Sequence, residues 1–139
     1  MSRAVVLDTN ILVSAALRPG SDIARILERV LLRQAPVYVC PSIAAEYREV
    51  LNRPRFRPKG LPPAWLPRLL QIAFHEPEPE LWPLEGPDAD DLVFLALAKA
   101  IGAVLVAGNL ADVPMEIRGG VIVVSPAGRD GMGRFPALS

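Results

Sequence analysis

Four acids in this sequence stand where solvation alone explains a carboxylate poorly. They are Asp8, Glu46, Asp91 and Asp112. Asp8 ends the apolar run VVL and is followed by Thr9, Asn10 and a second apolar run. It could serve simply as an N-cap, as could Thr9 or Asn10. Glu46 lies four residues after Ser42, a candidate cap, and a capping box would need its acid at Ala45. Asp88, Asp90 and Asp91 open the apolar stretch LVFLALAKAIGA. The first two suit the positive end of a helix dipole. Asp91 is drawn into a helix that is apolar almost all round, and a buried carboxylate needs a partner or a cation. Asp112, in GNLADV, follows the run AVLV, where turn chemistry is the simple alternative. Carboxylates held together raise one another's pKa or demand a counter-ion, and oxygen ligands of this kind suit Mg²⁺ or Mn²⁺.

Other chemistries fit worse. One histidine, His75, and one cysteine, Cys40, cannot build a zinc site, and the single cysteine cannot form an intrachain disulfide. His75 lies in a proline-rich acidic stretch without a GxSxG turn, so a nucleophilic triad is not indicated. ALRPGSD has one glycine and no lysine and is no phosphate-binding loop. An Asp-x-Asp phosphotransfer motif would need an acid where Asn10 stands.

The elements that would position these acids follow from periodicity. The apolar runs 4–7, 37–40, 103–106 and 121–124 read as strands. Helices are expected over 11–17, from Ser21 onward, over 43–51 with Ser42 as cap, over 64–74 and over 90–101, the last stopped by Gly102. A basic proline-rich loop fills 53–63, and 76–88 is acidic and proline-rich. Apolar strands alternating with helices predict an α/β fold with a parallel sheet covered on both faces. Ligands of such sheets bind beyond the strands' C-terminal ends, and that is where all four acids fall.

The chain of 139 residues fits a single domain over 1–139, with its core over about 4–126 and a Gly/Pro-rich tail over 127–139. Formal net charge is zero, but charge is segregated. Arg48 to Arg68 holds six basic residues and one acid, and the segment from there to Lys99 holds seven acids and no further base. This could set a cationic grip beside an anionic pocket, or could describe two solvated faces. No stretch has the ~20 apolar residues of a membrane span. A cytoplasmic location without membrane association is expected.

The stretches VLDTNILVSAAL, SIAAEYREVLNRPRF and DADDLVFLALAKAIGAVLVAGNLADV, in this order and spacing, resemble the PIN-domain ribonucleases. The resemblance runs from residue 4 to about 126 and is nearest to the toxin components of prokaryotic toxin–antitoxin systems. It implies a three-layer α/β/α sandwich with a central, mainly parallel sheet of four to five strands. It implies a metal-dependent endoribonuclease whose acids, on Asp8, Glu46 and Asp91, bind Mg²⁺ or Mn²⁺, with Asp90 as the neighbour that could replace Asp91. The fourth acid departs from the pattern. Where many relatives carry a TGD-like turn, this chain reads Ala107-Gly108-Asn109. An Asn-x-x-Asp variant of the turn matches Asn109 to Asp112, which makes Asp112 the fourth acid and Asn109 its helper. Asn10 and Ser14 are candidate supports for Asp8 or a metal-bound water. Arg53, Arg55, Arg57 and Lys59 are candidate RNA phosphate contacts, and Phe56 could stack a base or anchor its loop. The expected partners are RNA, a small antitoxin and a second copy of the chain in a dimer or higher oligomer. Trp65, Leu66, Leu69, Leu70, Ile72 and Phe74 could line such a surface or pack in the core. A catalytically silent PIN fold that binds RNA or protein is the alternative, left open by Asn109 and Ala107.

Overall fold

A computed structural model describes residues 3–86 and 89–126, without the side chains of residues 89–91 and of Asp112. The first unit runs from strand β1 (Val5–Leu7) into helix α1 (Thr9–Leu17), and helix α2 (Asp22–Leu31) follows. Ser21 caps α2 as expected, its hydroxyl accepting from Ala24 N at 3.2 Å. Strand β2 (Tyr38–Val39) leads into helix α3 (Pro41–Leu51). A 3₁₀ segment (Pro54–Lys59) then precedes helix α4 (Leu66–Ile72) and strand β3 (Phe74–His75). Helix α5 (Ala89–Ile101) and strand β4 (Val104–Val106) follow, then 3₁₀ turns at Leu110–Asp112 and Met115–Ile117 and strand β5 (Val123–Val124). Gly102 ends α5 with φ +69°, a conformation that costs glycine little.

All described strand pairs are parallel. β1 pairs with β4 and β4 with β5, while β2 pairs with β3. A parallel bridge between Val5 and Val37 joins the two groups into the order β3-β2-β1-β4-β5. The alternation of carbonyls along β2 makes this possible. Pro36 O accepts from Val5 N, and Val37 O accepts from Phe74 N on the opposite edge. The order reverses direction at β1, so the crevice beyond the ends of β1 and β4 is the switch point where ligands of open parallel sheets bind. The helices complete the α/β sandwich. α5 packs on β1 and β4, α1 packs on α2 and α3, and α3 touches α5.

Two expectations change. The helix expected over 64–74 stops at Ile72, because Phe74 and His75 are taken as a strand by β2. Phe74 stacks on Tyr38 with ring centroids 5.0 Å apart. Leu66, Leu69 and Leu70 of that helix are buried in the core, with Leu66 and Leu70 also bordering a cavity beside Arg48, whereas Phe74 is exposed. Ser42 is not the cap of α3 either. Cys40 holds that position without a side-chain capping bond, and Pro41 opens the helix, where a missing N–H costs nothing. Among the described residues no helix is long and apolar enough to cross a membrane.

Candidate functional site

The end of β1 is fixed from two sides. Asp8 N donates to Val106 O at 2.9 Å, which extends the β1–β4 ladder to the acid itself. Asp8 then leaves the strand in an extended conformation and caps α1, its Oδ1 accepting from Asn10 N at 3.4 Å. That bond is long, so the capping role is only weakly made. The side chain is 5% exposed. Thr9, the first residue of α1, is also buried, and its hydroxyl donates to Glu46 Oε2 of α3. The next residue of α3, Tyr47, is wholly buried and donates its hydroxyl to Leu7 O at 2.5 Å. Two adjacent residues of α3 are therefore bolted on either side of Asp8, Glu46 to Thr9 of α1 and Tyr47 to Leu7 of β1. Burial raises the Tyr47 hydroxyl well above its ordinary value, and the charges of Asp8 and then Glu46 add to the effect. Both carboxylates thus bear on one phenol.

Asp90 and Asp91 stand in the first turn of α5, and Asp112 ends the 3₁₀ turn that follows β4. Their side chains lie outside the described residues, as does Asp88. Asn109 caps the same turn, its Oδ1 accepting from Ala111 N at 3.0 Å. Asn10 is exposed and meets Asp8 through its backbone N–H, and Ser14 is half-buried on α1. Arg53 pairs with Glu49 at 2.9 Å. Arg55 lies over the Phe56 ring at 4.8 Å, and Phe56 packs against the core, which favours the anchoring role for that ring. Arg57 and Lys59 are exposed and form no ion pair among the described residues.

Three residues escaped the sequence reading. Thr9 and Tyr47 are neighbours of candidate acids, but only the crossing of α1, β1 and α3 turns their hydroxyls to Glu46 and Leu7. Glu78 is the third. Its Oε1 accepts from Ser42 N at 2.6 Å and its Oε2 from the Ser42 hydroxyl at 2.9 Å. A residue 36 positions away thus supplies the capping oxygen that Cys40 lacks, at the end of α3 where negative charge is favoured. Its position could not be read from a segment patterned as an acidic, proline-rich loop.

Among the described residues no three His, Cys, Asp or Glu side chains form a metal-holding group. Two of the four candidate acids are absent from that description. The donors that are described, the buried Asp8 and the Glu46 carboxylate beside it, are oxygen-only and suit a hard divalent cation rather than zinc.

The sequence profile of the PIN domain matches residues 4–111. No curated protein matches the chain. Several solved structures share the fold. VapBC2 from Rickettsia felis, bound to a DNA fragment from its promoter, superposes with a TM-score of 0.62 at 16% identity, over 88% of this chain and 98% of that one. FitAB bound to an IR36 DNA fragment gives 0.56 at 20% identity, over 88% and 94%. FitAcB from Neisseria gonorrhoeae gives 0.54 at 20% identity, over 88% and 97%.

Proposed function

This chain belongs to the PIN domain family, and from that premise we propose that it is a metal-dependent endoribonuclease, the toxin component of a toxin–antitoxin pair. One observation carries the reading. A buried aspartate at the switch point of a parallel sheet is held beside a glutamate that is itself fixed through Thr9. The likeness to VapBC2 and FitAB, both solved as complexes with DNA, supports an antitoxin partner.

In this mechanism Asp8 and Glu46, with Asp91 and Asp112, would hold Mg²⁺ or Mn²⁺. Such an ion, when bound, lowers the pKa of a water and offsets charge on the scissile phosphate. Thr9 holds Glu46 Oε2, so the carboxylate is set before substrate arrives. Glu46 is our choice as the group that takes the water's proton. Tyr47 fixes the position of β1's end relative to α3, and so the spacing of Asp8 and Glu46. Arg57 and Lys59, with Arg53 and Arg55 of the same basic segment, grip RNA phosphates without reading sequence. The silent, binding-only fold keeps one point in its favour. Asn109 replaces an acid, and its carbonyl oxygen is already engaged with Ala111.

The test is cleavage of a labelled RNA pool with Mg²⁺ or Mn²⁺ against chelator, beside Asp8→Asn and Asp91→Asn. We expect metal-dependent cleavage. Each variant, shown folded by circular dichroism, should lose more than the roughly 10–100-fold that an outer-shell change costs. Full activity in the folded Asp8→Asn protein would overturn the assignment. No cleavage together with no metal binding by calorimetry would favour the binding-only reading.

A further inference from the structure

Beside Glu46 opens a cavity of about 460 Å³ that the mechanism above does not use. This volume lies in the ~300–1,000 Å³ range of small-molecule sites. One wall is apolar and comes from α5, through Leu92, Val93 and Ala96. The facing wall is the segment 78–82, which contributes Glu78, Glu80, Leu81 and the Trp82 indole. This segment is pinned at both ends. Glu78 grips Ser42 with both carboxylate oxygens. Trp82 donates Nε1 to Ile117 O at 2.8 Å. The edge of its ring lies so close to Gly119 that a Cβ there would stand 2.7 Å from Cζ2. The indole is thus held in place as a wall of the cavity.

The polar groups of the cavity divide by what they already hold. Glu78 and Ser42 satisfy one another, and Glu46 is bonded to Thr9 and belongs to the candidate metal site. Glu80 makes no hydrogen bond or ion pair among the described residues. The Glu78 and Glu80 carboxylates disfavour a phosphate in this cavity and favour a neutral group with a donor edge. An indole and aliphatic side chains favour a flat aromatic ring. Unstacked RNA bases are flat, neutral and read along their Watson–Crick edges.

We propose that this cavity is a nucleobase subsite that selects guanine, through the Glu80 carboxylate, in the nucleotide next to the cleaved phosphate. Guanine alone among the four bases presents two adjacent donors, N1–H and N2–H, to the two oxygens of one carboxylate. Adenine and cytosine set a ring acceptor beside their amino group. Uracil sets two carbonyls around a single N–H. The place of this subsite in RNA cleavage rests on the nuclease reading. Its chemistry as a base-binding cavity does not.

The experiment therefore uses nucleosides, without phosphate or metal. A Trp65→Phe background leaves Trp82 as the only indole, since the chain has two. Guanosine, adenosine, cytidine and uridine are titrated against its emission. We expect guanosine to bind more tightly than the other three, on the order of tenfold as for a bidentate base contact. Glu80→Gln should abolish that margin. In parallel, cut positions in the RNA pool should be enriched for an adjacent guanine in the wild type and lose that enrichment in Glu80→Gln. Guanosine binding with neither RNA cleavage nor metal binding would uphold the subsite and overturn the nuclease. Cleavage without base preference, together with no nucleoside response, would overturn the subsite and leave the nuclease standing. An unchanged guanosine margin in Glu80→Gln would overturn the role of Glu80.

Discussion

The Tyr47 hydroxyl is the most quantifiable bolt in the site, and Tyr47→Phe removes it with little change of shape. The hydroxyl bonds Leu7 O at 2.5 Å, and both residues are fully buried. The variant leaves a buried carbonyl without this donor, which costs about 1–3 kcal/mol. Unfolding entropy for a chain of this length is about 0.3 kcal/mol/K. The neutral-pH melting temperature should therefore fall by about 3–10 °C. The pH dependence gives a second, independent reading. Burial first, then the charges of Asp8 and Glu46, hold the folded Tyr47 pKa well above the ordinary 10 of the unfolded chain. A raised folded pKa means that the group's stabilisation is complete below pH 10 and is lost as pH climbs toward the folded value. Over that window the wild type should lose about 1.4 kcal/mol per pH unit from this residue, or about 5 °C. The phenylalanine variant has no such loss, so the gap between the two melting curves should narrow from pH 10 to 11. The Cys40 thiol, raised chiefly by burial, also destabilises the fold at alkaline pH in both proteins, and its charge is the last and smallest of the influences that raise Tyr47. Thermal melts by circular dichroism from pH 7 to 11 make the comparison. Equal melting at neutral pH, or a gap that stays constant through pH 11, would refute the account of Tyr47 as a buried, neutral link between β1 and α3.

Two further predictions concern the wall of the cavity. For Glu78, burial pushes the carboxyl up, but bonds from Ser42 N–H, the Cys40 thiol and the Ser42 hydroxyl outweigh it and leave the pKa below its ordinary 4.5. A lowered folded pKa stabilises above pH 4.5 and fades as pH falls through the folded value. Glu78→Gln should accordingly lose less stability than the wild type between pH 5 and 3, and identical acid limbs in urea titrations would contradict this. Gly119→Ala adds a Cβ 2.7 Å from the pinned Trp82 ring at a residue with φ +54°. The left-handed conformation alone costs about 1–2 kcal/mol, so the melting temperature should drop by several degrees with a shift in Trp82 emission, and an unchanged melt would show that the ring is not held there.

The sequence by itself determined four of the five described strands and most of the helices. Continuous apolar runs such as VVL and VLV are short-range signals that need no knowledge of partners, and their alternation with helices implies a parallel sheet. It also placed Asp8 at a strand end, because the residue after a buried run is fixed by counting. It named Glu46 by eliminating the capping explanation. The structure then tied Glu46 to Thr9, the residue after Asp8, where α3 crosses β1, a contact the sequence could only imply. Phe74 and His75 were misread because Val37 and Val39, far away in the chain, supply the hydrogen bonds that turn a helix end into a strand. Thr9, Tyr47 and Glu78 went unread for the same reason. A hydroxyl or carboxylate carries no mark of its partner, and its role exists only where two distant elements cross. Tertiary structure decided which polar groups are spent on holding α3 in place.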